Sequence, residues 1–230
     1  NGYRMRQEMA DYNRRMHRLV EDQEKQIEHS QANMMMALSK IMKKRNGDMG
    51  RHQDNVSNNC SLLAQAMQFL PAYEEVITDQ FVEAIGVAAR LHDIGRFLMP
   101  VEGNEKTDYP VKGETEYARS CSEEGAEILE ELSGDQAGGY FLSMAVSIAK
   151  YNHAYWDGSG YPEVTGEKIP LEARIVALAN DFDNLVAEAV QSGAGTVEEC
   201  MEQINEKGGI LYDPDVVNVF NKIWRQMRTN

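Results

Sequence analysis

Ala84-Ile85-Gly86-Val87-Ala88-Ala89-Arg90-Leu91-His92-Asp93-Ile94-Gly95-Arg96 is an apolar run that stops on two ionisable side chains. Read from its composition, Ala84 to Leu91 is an apolar helix and His92-Asp93 closes it. An imidazole nitrogen and a carboxylate oxygen at a helix end can ligate metal ions, and the carboxylate can bridge two. Taken alone, the pair is a weak signal, and a capping or surface role is the better default. Its meaning depends on what surrounds it.

Outward from this run the chain shows no alternating strand pattern. Helical segments are predicted at about 50–70, 78–93, 115–133, 136–152, 170–191, 196–207 and 213–227, so the body reads as all-α. Breaks fall at Gly95, Pro100, Asp157 to Pro162 and Gly208-Gly209. Toward the N-terminus, Tyr3 to Arg45 contains neither Pro nor Gly, which predicts one long helix. Met5, Met9, Tyr12, Met16 and Leu19 step by 4, 3, 4, 3, the spacing of a coiled-coil seam. The seam continues through polar Gln23 and Gln26, and Met34, Leu38 and Ile41 restart an apolar stripe in a shifted frame. A homodimer through this helix is expected, the alternative being an amphipathic helix lying on its own domain. Asn46-Gly47-Asp48 ends it, which divides the chain into a helical linker at 1–47 and a body at 48–230.

Charge divides the chain at nearly the same place. Across the 230 residues, 23 Lys/Arg against 37 Asp/Glu leave a net charge of −14. Residues 1–52 carry 11 against 7, net +4, so the remainder carries 12 against 30, net −18. An acidic body repels polymeric nucleic acid, and a small anionic ligand would need a local cationic or metal-lined site. No apolar run reaches the ~20 residues of a membrane helix. Cys60, Cys121 and Cys200 are odd in number and widely spaced, which fits a reducing, cytoplasmic setting better than a disulfide framework. The first residues lack a signal-like apolar segment and an initiator Met, so the chain is expected to begin inside a longer protein. His17 and His29 fall on the polar face of the long helix. The 13 methionines read as packing residues.

Three further stretches change the reading of His92-Asp93. Leu91-His92-Asp93-Ile94-Gly95-Arg96, Asn152-His153-Ala154-Tyr155-Trp156-Asp157-Gly158-Ser159-Gly160-Tyr161-Pro162, and Ile169-Pro170-Leu171-Glu172-Ala173-Arg174-Ile175-Val176 closely resemble the signatures of the HD-GYP family, in its order and spacing. The resemblance covers roughly residues 48–227 and includes Tyr212-Asp213-Pro214-Asp215-Val216-Val217. It implies an HD-type helical bundle whose inward side chains hold two or three ions, usually iron or manganese. Active members hydrolyse cyclic di-GMP, and such domains are commonly response-regulator outputs.

Carried over position by position, the resemblance assigns His52, His92, Asp93 and His153 as metal ligands, with Asp48 as an additional carboxylate. Asp93 and Arg96 would be the catalytic side chains of an active member, Arg96 standing where the family has Lys. Three ligand positions are altered: Cys121 and Asn152 stand in place of His, and Asn180 in place of Asp. Asn180 keeps an oxygen and loses the charge, Asn152 is a poor substitute for imidazole, and Cys121 could ligate as thiolate and favour zinc. Asp181 lies one helical step, about 100°, away from the ligand direction, and Asp183 matches a position that supports rather than ligates. After Leu185, Val186 to Gly195 lack the cations that touch substrate phosphates in active relatives.

The expectation is therefore no intact two- or three-ion centre, and at most one divalent ion, whether iron, manganese or zinc. Trp156 to Pro162 form a turn that in the family is also a contact surface for diguanylate cyclase domains. Trp156 and Tyr161 could stack on guanine or simply pack beside the loop. Three functions compete: a catalytically degenerate signalling output acting through protein contacts, an active cyclic di-GMP phosphodiesterase with a reduced or zinc-shifted site at His52, His92, Asp93, Cys121 and His153, and a nucleotide sensor that binds without cutting.

Overall fold

The computed structural model describes residues 2–45, 49–98, 116–133, 139–227 and 229. Among them the chain is helical and contains no strand, only an isolated bridge between Gly208 and Tyr212. The helices are α1 (Gly2–Arg45), α2 (Met49–Gln68), α3 (Asp79–Ala88), α4 (Ile94–Leu98), α5 (Glu116–Ser133), α6 (Tyr140–Tyr151), α7 (Leu171–Ser192), α8 (Val197–Glu206) and α9 (Pro214–Ile223).

Local chemistry sets several of these boundaries. Thr78 caps α3 by accepting from the Phe81 N–H. Thr196 and Glu199 form a capping box that starts α8. Asp213 caps α9 ahead of Pro214, whose missing N–H costs nothing in the first turn. Gly193 ends α7 in the left-handed region at φ 63°.

The apolar helix before His92 is shorter than its composition predicts. α3 stops at Ala88, a 3-10 turn spans Ala89–Leu91, and His92-Asp93 sit between that turn and α4. The tighter winding turns the Ala89 carbonyl onto the His92 ring, 2.8 Å from Nδ1. The predicted segment near 213–227 likewise divides into α9 and a 3-10 turn at Trp224–Gln226.

α7 is the core helix. Ile175, Val176, Leu178, Ala179, Phe182 and Val186 are fully enclosed, and the Phe182 ring meets Phe220 of α9 edge-on at 4.9 Å. α2 packs against α3, α7 and α9, and α6 lies against α3, α5 and α7. α4 crosses α5 where Gly95 meets Gly125. A Cβ on Gly95 would lie 1.7 Å from the Cys121 carbonyl oxygen, so only glycine permits this approach directly after His-Asp.

α1 has two fates along its length. Residues 3–27 are exposed throughout, including Met5, Met9, Tyr12, Met16, Leu19, Val20 and Ile27. From Glu28, which accepts from Gln80 Nε2, the same helix joins the body. Met35 and Met42 enter the core there, against α2, α3, α6 and the 89–91 turn. Met34 and Leu38 pack at its margin, as the apolar stripe predicts. Ile41, the third residue of that stripe, is 55% exposed: the inward face steps through 35, 38, 39 and 42 and leaves 41 outside. No helix among the described residues is long and apolar enough to cross a membrane.

Candidate metal centre

His52 on α2 and His92-Asp93 after the 3-10 turn converge from segments 40 residues apart. One ligand atom from each lies within 4.8 Å of the others. The two imidazoles meet edge-on, centroids 5.4 Å apart. His92 and Asp93 are each 4% exposed, so charge here is held out of bulk water.

Each histidine is oriented from behind. His92 Nδ1 donates to the Ala89 carbonyl, which leaves the lone pair of the neutral ring on Nε2. That Nε2 lies 3.5 Å from Asp93 Oδ2 and makes no hydrogen bond. His52 Nδ1 donates to Asp183 Oδ2 at 2.7 Å, while Asn55 Nδ2 donates to Asp183 Oδ1 at 2.8 Å. Asp183 has no solvent exposure at all. A carboxylate or carbonyl behind each imidazole is the arrangement that holds a metal-binding ring in one tautomer.

Electrostatics prepare the same atoms. Burial pushes the Asp93 carboxyl up, but the electrostatic pull of its neighbours, His92 first and then the Arg96 guanidinium, outweighs it and holds the group below the usual carboxylate range. Arg96 Nη1 stands 3.6 Å from Asp93 Oδ2. Burial lowers the pKa of His92, only partly opposed by Asp93, so its neutral form is favoured. An ionised carboxylate beside a neutral imidazole with an unused nitrogen is a donor pair that suits a divalent cation.

The altered positions add no His, Cys, Asp or Glu donor to this group. Asn152, at the end of α6, donates from Nδ2 to the His92 carbonyl at 3.2 Å, and its buried Oδ1 has no hydrogen-bond partner. Asn180 on α7 donates to Asp181 Oδ1 at 3.2 Å and accepts from Asn184 at 3.4 Å, so its amide is engaged along its own helix. Cys121 is buried on α5, beside the Gly95 crossing. His153 is half-buried and acts electrostatically on His92 and Asp93, yet it is not in the three-residue group. Asp48 lies outside the described residues. Asp181 bonds the Tyr212 hydroxyl at 2.8 Å instead of facing the group.

The Trp156 to Pro162 loop is pinned to the segment before α9. Trp156 and Asp157 donate their backbone N–H groups to Leu211 and Ile210. Asp157 accepts from the N–H and hydroxyl of Ser159, and Gly158 takes φ 85°. Gly160 is packed so closely that a Cβ would lie 2.4 Å from the His153 carbonyl oxygen. The Arg119 guanidinium covers the Tyr161 ring at 4.4 Å, and the Tyr161 hydroxyl donates to Glu123. The Trp156 ring lies 5.8 Å from Arg174, which pairs with buried Asp213. Both aromatics are thus engaged by neighbouring cations.

Several contributors escaped sequence reasoning. Asn55, the Ala89 carbonyl and the Asp54–Arg90 ion pair each orient or brace a ligand segment, and no motif advertises them. Asp183 was legible as a supporting position and His52 as a ligand, but the hydrogen bond that pairs them was not.

Comparison with known proteins agrees with this geometry. Residues 14–216 match the family model described as HD domain. A cyclic di-GMP phosphodiesterase of Vibrio cholerae is 30% identical, over 81% of this chain and 38% of that protein. The cyclic di-GMP phosphodiesterase response regulator RpfG of Xanthomonas campestris is 29% identical, over 84% of this chain and 48% of its own length. A 3'3'-cGAMP-specific phosphodiesterase 2 of Vibrio cholerae is 27% identical over 81% of the chain and 34% of that protein. The chain therefore spans less than half the length of these curated relatives. In fold, it is similar to a crystal structure of a cyclic GMP-AMP specific phosphodiesterase of Vibrio cholerae (V-cGAP3), with TM-score 0.55 and 19% identity over 84% of this chain and 48% of the other. With the His-Asp pair, its oriented second histidine and the all-α bundle in place, the chain belongs to the HD domain family and is an HD-GYP-like domain whose relatives are cyclic di-GMP or cGAMP phosphodiesterases.

Proposed function

We propose that the chain is a catalytically degenerate HD-GYP-type signalling output, which receives a conformational signal along α1 and passes it on through protein contacts. The observation that carries this reading is that, among the described residues, the donor group consists of His52, His92 and Asp93. Cys121, Asn152 and Asn180 stand at three further ligand positions of the family pattern, His153 keeps its position without joining the group, and Asn180 spends its amide on Asp181 and Asn184.

Three donors suit one divalent cation, with His52 and His92 offering ring nitrogens and Asp93 a carboxylate oxygen. A bound cation would supply Lewis acidity toward a phosphoryl oxygen and lower the pKa of a water. The protein's own residues hold the imidazoles through Asp183 and Ala89, keep Asp93 ionised and set Arg96 beside it. Its relatives' names point to cyclic dinucleotides, cyclic di-GMP or 3'3'-cGAMP, as the ligand class, and cyclic di-GMP is the member tested first. The segment after α7's Leu185 offers that ligand no cation before Gly195, which weakens both binding and turnover.

Partners follow from the same reading. The exposed stripe from Met5 to Ile27 suits a second copy of α1, and the Asp157–Pro162 turn suits a diguanylate cyclase-type domain. A second reading, an active single-ion phosphodiesterase, is favoured by the intact His52–His92–Asp93 group with Arg96 next to Asp93.

Elemental analysis of the full chain purified without chelator, combined with a cyclic di-GMP hydrolysis assay supplied with manganese or iron, separates the two. We expect at most one ion per chain and negligible turnover. Two or more stoichiometric ions, or hydrolysis abolished by Asp93→Ala, would overturn the degenerate reading. Restoring Cys121→His, Asn152→His and Asn180→Asp together should raise the ion count and bring turnover with it.

A further inference from the structure

We infer that Asp54 is a positioning residue, which straps α1 to both ligand-bearing segments and so fixes His52 relative to His92-Asp93. Lys43 Nζ of α1 donates to both Asp54 carboxylate oxygens, each at 2.7 Å. Arg90, in the 3-10 turn, donates to Asp54 Oδ1. One carboxylate therefore joins three elements: α1, α2 and the turn that delivers His92.

The placement of the strap is specific. Asp54 lies two residues after His52 on α2, about 200° around the helix, so it faces away from the donor group. Arg90 lies two residues before His92 in the tight turn. The ion triad thus closes the back of the two segments whose front sides carry the donors. Buried polar contacts continue the same seam between α1 and α2, with Ser39 donating to Gln53 Oε1 at 3.5 Å and Gln53 facing Met42 Sδ at 3.9 Å. Gly50 makes room for the Lys43 stem, since a Cβ there would lie 3.2 Å from Lys43 Cγ.

Charge counting shows why the carboxylate, more than either cation, holds the device together. An isolated ion pair at half-exposed positions contributes little. Here two cations share one anion. Removing the negative charge leaves Lys43 and Arg90 facing each other, and their repulsion acts across the contact between α1 and the 89–91 turn. The displaced element is the turn whose Ala89 carbonyl orients His92.

The inference rests on the reading that His52, His92 and Asp93 take a divalent cation, and its test has an arm that does not. Manganese(II) binding to the full chain is measured by titration calorimetry for the native protein, Asp54→Asn, Asp54→Glu and Lys43→Met, alongside thermal melting. Histidine-ring proton–nitrogen correlation spectra are recorded without metal. Asp54→Asn should weaken manganese binding roughly tenfold, the scale of a lost outer-sphere support. It should also shift the His52 and His92 ring resonances while leaving helix content intact. Asp54→Glu, which keeps the carboxylate, should restore affinity to within about twofold, and the ring resonances are the readout that a merely stabilising pair would leave unmoved. Lys43→Met breaks only the link to α1 and reports on the strap if Asp54→Asn fails to fold. Folded Asp54→Asn or Lys43→Met protein with native ring resonances and native affinity would overturn the inference. If the native chain binds no manganese, the cation reading fails, and the ring resonances alone decide whether Asp54 positions the histidines.

Discussion

Asp183 on α7 and His52 on α2 are 131 residues apart in the chain and 2.7 Å apart in space, joined by a hydrogen bond from Nδ1 to Oδ2. An ionised carboxylate can only accept, so this bond assigns the ring proton to Nδ1. Because Asp183 also accepts from Asn55, one fully buried group serves two donors. Hydrogen bonds to charged groups contribute about 1.5 to 3 kcal/mol each. Asp183→Ala should therefore lower unfolding free energy by about 3 kcal/mol and manganese affinity by about tenfold. Chemical denaturation and calorimetry check this, and native values in both would remove Asp183 from the supporting role.

Gly95 tests the helix crossing. Its virtual Cβ meets the Cys121 carbonyl oxygen and, at 2.9 Å, the Gly125 nitrogen, both backbone atoms that cannot swing aside. Gly95→Ala should cost about 3 kcal/mol or more, at the upper end of overpacking penalties. Gly193→Ala provides the contrast: it has open space and pays only the left-handed backbone, about 1 to 2 kcal/mol. Equal melting temperatures for the two variants would refute the close approach of α4 and α5.

Asp181 should give the protein a distinctive pH response. Burial lifts its carboxyl above the ordinary value despite the opposing effects of the Tyr212 hydroxyl, His153 and Lys207. The folded state thus binds this proton more tightly than the unfolded chain. Its stabilising contribution is complete below about pH 3.8 and is lost as pH rises through the folded-state value. Asp181→Asn keeps an acceptor for Tyr212 and never ionises. The variant's melting temperature minus the native one should increase from pH 4 to pH 7; a difference that shrinks over this range contradicts the assignment.

The exposed stripe of α1 makes a prediction about assembly. Residues 3–27 carry six Lys/Arg and five Asp/Glu, so two arms can approach without strong net repulsion, unlike the acidic bodies. An isolated helix of this length is marginal in water, and burying the apolar seam against a second copy would stabilise it. Light scattering at micromolar concentration should report a dimer. Met9→Glu with Met16→Glu should yield monomers whose bodies melt as before, because the core residues Met35 and Met42 lie beyond the seam. A native monomer, or a dimeric double variant, would send the stripe elsewhere.

Periodicity and turn chemistry made the helices legible, because α1, α5 and α7 are set by residues within a few positions of one another. The His-Asp pair was legible through its flanking motifs. What escaped detection depends on long-range closure. The 3-10 winding at 89–91 trades composition for the hydrogen bond to His92, and the Lys43–Asp54–Arg90 triad joins residues 11 and 36 positions apart. Asn180 shows the same limit from the other side. Its lost charge could be read from the sequence, whereas its turn toward Asp181 and Asn184 required the fold.

The uninterrupted run of α1 from an exposed arm into the core makes the helix a torsion rod with a fixed phase. Inserting one residue at Ile27 would turn the arm by about 100° about the axis and advance it by about 1.5 Å relative to Met35 and Lys43. Inserting seven would bring the arm back to within about 20° of its original azimuth, one coiled-coil repeat farther out. Whatever grips the Met5–Leu19 seam is thereby geared to the Asp54 strap, and the setting that reaches His52 and His92 depends on the insertion length modulo seven.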